Sequence, residues 1–388
     1  MSNDEKAGAP LRTVLAERIK SRGETLEEFA EYAERFAREH GEPGTLSLRN
    51  LQRLVSGRRD DGTPIRRVHR DTARLLEHIF GLRMADLLAR PKTGDGDDES
   101  TMELRQRLNA SSRIDDGIIQ LLHDQLDALR RLDRQLGAIV AYDEVTIKIA
   151  QVTQLLRHSL SPDVRSRLAA LLSELRALAG WQALDLGKAA DAWQHHERGK
   201  EIAAECQLTP FEVHTAAEQA FVLLDLSRTG DAVALLDAAL AHADRTASPL
   251  FRAWLSAAYG EALAAAGERA ASIRSFDMAA DLLPSDTADP GGPYVALNPV
   301  HLARWRGHAL ARLGEPQAVD VLSGALDQLD PTFTRAETSL RVDLATALCS
   351  AGEYDEARRQ VRYAEHLAQD IGSARQRHRI RVLDMRLR

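Results

Sequence analysis

The sequence predicts an all-α protein whose larger part is an array of stacked helical hairpins. Pairs of residues recur seven positions apart, and the second member of each pair is a glycine followed by an apolar helical run. Aromatic residues make up only 5% of the chain while Ala and Leu dominate it, which is typical of helices that pack through small side chains. The pairs are Gly180 and Gly187, Leu223 and Gly230, Gly260 and Gly267, Gly307 and Gly314, and Ala345 and Gly352.

We expect the first residue of each pair to let two helices approach closely and the glycine to turn the chain between them. This spacing resembles the tetratricopeptide repeat, most clearly in the stretches Gly352–Ala368 and Gly260–Pro284. The turn glycines are 43, 37, 47 and 38 residues apart, longer than the usual period of about 34, which indicates loose repeats. The alternative is a set of ordinary amphipathic helices with incidental glycines.

The first 91 residues predict a separate unit of five short helices. A helix over 11–22 is followed by a capping box, Thr25 with Glu28, that starts a second helix running to about His40. A loop containing Gly-Pro-Gly comes next, and then a helix over 48–55 that Gly57 ends. Two further helices are expected over 70–80 and 84–89.

The stretches SLRNLQRLVSGRR and DTARLLEHIFGLRMADLLARP resemble the second half of a lambda-repressor-type (Xre-like) helix-turn-helix domain. The resemblance implies that the helix over 48–55 is the recognition helix in a major groove. The long second helix and the Gly-Pro-Gly loop depart from the tight turn of that family. The residues expected at base edges, followed by those expected at phosphates, are Ser47, Arg49, Asn50 and Arg53, then Arg58 and Arg59.

Charge is unevenly distributed along the chain. The net charge is −7, yet residues 47–74 hold eight arginines against three aspartates. A basic island on an acidic protein indicates a site for a polyanion. The alternative is a helical cap whose arginines are only solvated.

The remaining chain is predicted to form three parts. Residues 92–101 form an acidic linker, 102–161 connecting or dimerisation helices, and 162–388 a tetratricopeptide-repeat sensor domain with a C-terminal capping helix. This order, and the segment LRALAGWQALDLG, resembles the Streptomyces-type helix-turn-helix regulators with tetratricopeptide repeats. The architecture is also similar to that of the RRNPP peptide-pheromone receptors.

No motif indicates an enzyme or a cofactor. The sequence has no P-loop, dinucleotide-binding glycine turn or G-x-S-x-G elbow. His195 and His196 point about 100° apart on a helix and are expected to be a solvated pair rather than metal ligands. The absence of a long apolar run, the polar start and two isolated cysteines favour a soluble, cytoplasmic protein without a membrane anchor.

The first helix of each repeat is expected to line the concave face of the array, with Arg228 as the inward-facing residue of the second repeat. Two aromatic residues with basic residues there predict a site for a peptide or an anionic small molecule, although this chain has only four asparagines to hold a peptide backbone. The alternative is a hydrated groove without a ligand. The expected ligand-binding residues are Trp254, Glu261, His301, Arg304, His308 and Arg312.

Two functions follow from these observations. The first is a transcriptional regulator that binds an inverted-repeat operator in double-stranded DNA as a homodimer and senses a peptide, small molecule or protein. The second is a protein-interaction scaffold whose N-terminal helices do not bind DNA.

Overall fold

The computed structural model describes residues 13–58, 63, 65, 68–91, 95–243, 247–286, 289 and 291–387, with the backbone alone for 95–100. Every secondary-structure element in these residues is a helix, and none of the helices is long and apolar enough to cross a membrane. The chain divides into two compact units, Met1–Gln106 and Arg107–Arg388. The helices are α1 (Val14–Ser21), α2 (Leu26–Glu39), α3 (Leu48–Ser56), α4 (Arg70–Phe80), α5 (Met84–Leu87), α6 (Asp95–Ser111), α7 (Asp116–Leu136), α8 (Ala138–His158), α9 (Pro162–Asp185), α10 (Ala189–Glu205), α11 (Thr209–Asp225), α12 (Thr229–His242), α13 (Pro249–Ala265), α14 (Arg269–Leu282), α15 (Pro299–Arg312), α16 (Ala318–Gln328), α17 (Thr334–Ala351), α18 (Tyr354–Asp370) and α19 (Ala374–Leu387).

Helices α1 to α5 pack around one apolar core in the first unit. The predicted capping box is present, because the Thr25 and Glu28 side chains each accept a hydrogen bond from the other residue's backbone N–H. The largest fully buried side chains come from different helices and include Leu15, Phe29 and Leu51. The five helices expected from the sequence are therefore confirmed.

The long loop between α2 and α3 is fixed onto α4. Glu42 forms ion pairs with Arg74 and His78, each at 3.1 Å. A side chain on Gly44 would overlap the carbonyl oxygen of Asp71. The loop containing Gly-Pro-Gly, which replaces the tight turn of the helix-turn-helix family, thus has a defined structure that sets where α3 begins.

The acidic stretch predicted as a linker over 92–101 is helical from Asp95 onward, and its role as a linker stays a prediction. Helix α6 continues to Ser111, and the division between the two compact units falls within it. The sequence puts acidic residues at 95, 97 and 98, where they favour the start of a helix by opposing its dipole. Composition alone did not predict this helix, because it ignores the position of the charges.

In the second unit the first glycines of the pairs lie at close helix contacts, as the sequence predicted. A Cβ on Gly180, Gly260 or Gly307 would meet a side chain of the next helix at 2.5, 2.8 or 2.6 Å. The space left by each glycine therefore holds one large side chain of the next helix. In chain order these side chains belong to His196, Phe276 and Leu322. The tetratricopeptide-like hairpins close through this contact.

One pair has a different register from the one predicted. Gly187, Gly267, Gly314 and Gly352 have positive φ and turn the chain, but Gly230 does not. Ser227 takes that place, with φ 60°. The corresponding pair is Ala220 with Ser227, because fully buried Ala220 precedes Ser227 by the same seven residues. The turns then recur after 40, 40, 47 and 38 residues, which is more regular than the glycines alone suggested.

Helices α7 and α8, predicted as connecting helices before residue 162, lie in the same compact unit as the hairpins. Ile119, Leu126, Val145 and Ile149 form one core with residues of α9. Helix α19 is also packed, since it buries Ile380, Leu383 and Leu387. Helices α7 and α8 were predicted as connecting or dimerisation helices, and their main apolar stripe is used inside the unit. Other large apolar side chains on α7 and α8 remain exposed, among them Leu121, Ile139, Val140 and Ile147.

The two adjacent histidines are not a solvated pair as expected. His196 is fully buried against Gly180. The ring nitrogens of His195 lie 3.1 Å from the Tyr142 hydroxyl and 3.3 Å from an Arg176 guanidinium nitrogen. The space above Gly180 explains the difference, because it accepts a ring as Gly260 accepts Phe276.

Candidate functional site

The two ends of the repeat unit contact each other and close its concave face. Asp133 on α7 forms an ion pair with Arg335 on α17. The Ser373 hydroxyl, just before α19, donates to Asp185 Oδ1 on α9 at 2.7 Å. Backbone atoms also meet, since a side chain on Gly137 would overlap the carbonyl oxygen of Ile371. The helices of the array therefore surround a central space, because its two ends are in contact.

The Pro- and Gly-rich segment before α15 adds a further connection. In residues 291–298, the Tyr294 backbone N–H donates to Glu174 Oε1 at 2.7 Å. The Tyr294 hydroxyl accepts from Arg134 at 2.7 Å, and the Arg130 guanidinium lies 4.1 Å from the ring centroid. This segment joins the later repeats to α7 and α9.

The enclosed space is a cavity of about 1000 Å³, which we call the central cavity. It is lined by α7 and by the first helix of each following hairpin, together with α19. All six sequence-predicted ligand-binding residues lie on its wall: Trp254, Glu261, His301, Arg304, His308 and Arg312. The structure thus brings them together, and ligand binding by them stays a prediction.

These six residues differ in what they can offer a ligand. His308 is held between Asp343, at 2.7 Å from its Nδ1, and Glu261, at 3.5 Å from its Nε2. Trp254 is almost completely buried, whereas Arg312 is exposed. Two of the six, His301 and Arg304, have buried side-chain nitrogens without a hydrogen-bond partner.

Four aromatic rings from consecutive repeats form one wall of the central cavity. Phe221 is the centre of this group, with its ring centroid 5.7 Å from Trp181, 6.5 Å from Trp254 and 5.8 Å from Trp305. Trp181 and Trp305 are only partly buried. These distances are typical of stabilising aromatic pairs, so the wall is a preformed apolar surface.

Burial keeps several titratable groups of the wall uncharged. It lowers the pKa of His214 and of His301 to about 3, with nearby arginines acting in the same direction. Burial raises the pKa of Glu218 to about 8. At neutral pH these histidines are neutral and Glu218 is mostly protonated. The positive charges of the cavity wall are therefore those of its arginines and not of these histidines.

The sequence analysis missed His214, Glu218 and Phe221 on α11. The register of the hairpins explains the omission. The cavity is lined by Trp254, six residues before Gly260, and by Glu261, directly after that glycine. The same positions relative to Ala220 are held by His214 and Phe221, which also line the cavity. The pair built on Gly230 pointed to Arg228 instead, which does not line the cavity. Ser227 at the turn gave no glycine signal.

The candidate DNA-binding surface lies on α3 and the turn after it. Ser47 Oγ accepts the Asn50 backbone N–H at 3.3 Å and so caps the helix. Leu51 and Leu54 anchor the opposite side in the core. Arg49 is exposed, and Asn50 and Arg53 are partly exposed.

The turn after α3 is ordered by a single hydroxyl. Ser56 Oγ donates to the Arg53 carbonyl at 2.7 Å and accepts the Arg58 N–H at 3.3 Å. Gly57 turns the chain with φ 67°, and Arg58 is exposed. Arg59, the last predicted phosphate contact, lies outside the described residues.

Comparison with known proteins found neither a matching family model nor a matching curated protein. Among solved structures, the chain is similar to nearly identical TPR-like repeats of a kinesin light chain protein from Podosopora anserina, at 17% identity and a TM-score of 0.35. The match covers 54% of this chain and 98% of that one. A point variant of the same repeats gives 17% identity and a TM-score of 0.34, with 50% and 95% covered.

Proposed function

We propose that this chain is a sequence-specific DNA-binding transcriptional regulator whose repeat unit holds an effector in the central cavity. The observation that carries the DNA-binding half is the outer face of α3. This helix presents Arg49 and Arg53 on the side opposite its buried leucines, with the partly exposed Asn50 beside that face. Arginine and asparagine are the side chains that bond bidentately to guanine and adenine edges in a major groove.

The composition of the first unit supports the same proposal. Between residues 47 and 74 the arginines exceed the aspartates by five on a protein that is acidic overall. Arg58 follows the helix on an ordered turn, where it suits a backbone phosphate. We therefore assign α3 to base contacts and Arg58 to a phosphate.

The sensing half rests on the central cavity. A volume of about 1000 Å³ is at the upper end for small-molecule sites. The chain has only four asparagines, the side chains that suit a peptide backbone because each offers a donor and an acceptor. Of the effectors considered from the sequence, we therefore favour a small molecule over a peptide.

We further propose that the active form is a homodimer on an inverted repeat, because one short helix reads too few base pairs for selectivity. Exposed apolar side chains of α7 and α8, among them Leu121, Ile139, Val140 and Ile147, are candidates for its interface. Light scattering of the full chain, free and with DNA, tests the oligomeric state.

Substitutions on α3 test the DNA-binding proposal. After selection of a preferred site from random duplexes, Arg49→Ala and Arg53→Ala are each expected to weaken binding to that site by about 1–3 kcal/mol and to relax sequence preference. Arg58→Ala is expected to weaken binding to all duplexes alike, because it removes a phosphate contact.

Arg83→Ala is the matched control for these variants. Arg83 is an exposed arginine of the same unit, paired with Asp86 at 3.2 Å, and its loss should leave DNA affinity unchanged. If Arg49→Ala and Arg53→Ala behave like Arg83→Ala, α3 does not read DNA. The scaffold function would then replace the regulator.

A further inference from the structure

Three guanidinium groups meet in the central cavity, and one of them lacks a counter-ion. Arg335 is paired with Asp133, and Arg379 with Asp343. Among the residues that the structure describes, Arg304 has no carboxylate within ion-pair distance, and its Nε is buried without a hydrogen-bond partner. A buried charge in this state is costly unless an anion completes the site.

The surroundings of Arg304 combine charges of both signs. Burial lowers its pKa, the nearby charges of Asp343 and Glu261 raise it, and those of Arg335 and Arg379 lower it. Arg335 Nη1 is a second buried donor without a partner. The residues lining the cavity include eight arginines and seven carboxyl groups. One of these, Glu218, is mostly protonated at neutral pH, so the lining carries an excess of positive charge that an anionic group of a ligand would reduce.

The apolar part of the cavity indicates the rest of the ligand. Phe221 and the partly buried Trp181 and Trp305 offer ring surfaces beside the arginines. A flat ring system can stack on such surfaces. Glu218 Oε2 is buried without a partner, and in its protonated form this carboxyl group can donate a hydrogen bond to an anion.

We propose that the central cavity binds an aromatic monocarboxylate, with its carboxylate on Arg304 and its ring system against the aromatic wall. This inference rests on the proposed function, because it names the chemical class of the effector at the same site. An organic amine is disfavoured, since the uncompensated charge is positive.

Tryptophan fluorescence of the full chain provides the test. Three of its four tryptophans line the cavity, and the fourth, Trp193, does not. The probes are 1-naphthoate, the neutral 1-naphthamide and the cationic 1-naphthylmethylamine, which share one ring system. We expect naphthoate to quench the fluorescence saturably and to bind at least about tenfold more tightly than the amide, as a charged hydrogen bond to arginine implies.

Two arginines on the same helix distinguish this site from general charge effects. Arg304→Met should weaken naphthoate binding by about 10- to 100-fold and leave naphthamide binding unchanged. Arg306→Met is the control, because Arg306 pairs with Asp277 at 2.8 Å and does not line the cavity. It should leave the affinity for naphthoate unchanged. Melting curves of both variants verify that they fold.

The outcomes separate the inference from the proposed function. Equal binding of naphthoate and naphthamide by the unmodified chain, or tighter binding of the amine, overturns the inference whatever the variants do. An unchanged naphthoate affinity in folded Arg304→Met overturns it as well. DNA affinity measured with and without saturating naphthoate examines sensing separately: if naphthoate binds through Arg304 and DNA affinity stays the same, the ligand class stands and the sensing function fails.

Discussion

Replacing Gly137 with alanine is expected to destabilise the repeat unit by about 4 kcal/mol. Gly137 joins α7 to α8 with φ 80° and ψ 174°, a conformation that costs other residues about 1–3 kcal/mol. Its missing side chain also leaves room for the carbonyl oxygen of Ile371, where the two ends of the array meet. Overlap with a backbone atom adds about 1–3 kcal/mol.

Gly267→Ala is the matched control for this substitution. Gly267 also has positive φ, at 81°, but a side chain there would meet nothing within 4 Å. Its replacement should cost only about 1–2 kcal/mol, the backbone contribution. Urea unfolding followed by tryptophan fluorescence measures both costs, because all four tryptophans lie in the repeat unit. Equal costs for the two variants would show that the closing contact at Ile371 contributes nothing.

Stability of the repeat unit is expected to be greatest near pH 6.5. Burial lowers the pKa of four histidines from 6.5 to between about 3 and about 4. Below pH 6.5 the unfolded chain binds protons at these sites and the folded chain does not, so stability falls as the pH falls. The four are His195, His196, His214 and His301.

Two carboxyl groups act in the opposite direction. Burial raises the pKa of Glu218 from 4.5 to about 8 and also raises the pKa of Asp133. The folded chain then holds protons that the unfolded chain has lost, so stability falls as the pH rises. Below pH 6.5 four histidines oppose two carboxyl groups, so the net effect is a loss of stability as the pH falls, to which each histidine contributes up to about 1.4 kcal/mol per pH unit. Between pH 6.5 and 8, Glu218 alone gives a decline of up to about 1.4 kcal/mol per pH unit.

Urea unfolding at pH 5, 6.5 and 8 measures both slopes. His196→Leu should reduce the loss of stability below pH 6.5 by up to about 1.4 kcal/mol per pH unit, since it removes one titrating group. Glu218→Gln should remove the decline between pH 6.5 and 8. His242→Gln, at an exposed position on α12, should change neither slope. Slopes that are the same in all three variants would contradict the pKa shifts.

The hairpins could be predicted from the sequence because their signal is local. A glycine seven residues before a turn glycine is visible in one stretch of chain, and Gly260 with Gly267 behaves as predicted. The same logic failed at Ser227, where a serine takes the left-handed conformation that glycine usually provides. Because the turn residue is a serine, the pair was placed at Gly230, and the predicted inner face of α11 was shifted accordingly.

The closure of the array could not be predicted because it depends on contacts between distant parts of the chain. Asp133 and Arg335 are 202 residues apart, and neither belongs to a recognisable motif. The uncharged state of His301 also has no sequence signal, because it follows from burial. Sequence therefore identified the residues at the central cavity more successfully than their charge or partners.

The central claim, that the first unit binds DNA through α3, is tested most directly by titrating the full chain with a mixed-sequence duplex of about 40 base pairs over a range of salt concentrations. The account predicts that the logarithm of the affinity falls linearly with the logarithm of the salt concentration, with a slope of about −0.9 for each phosphate neutralised. Arg58→Ala should make this slope shallower by about 0.9, the contribution of one phosphate contact. Absence of binding at about 50 mM salt, where such contacts are strongest, would contradict the claim.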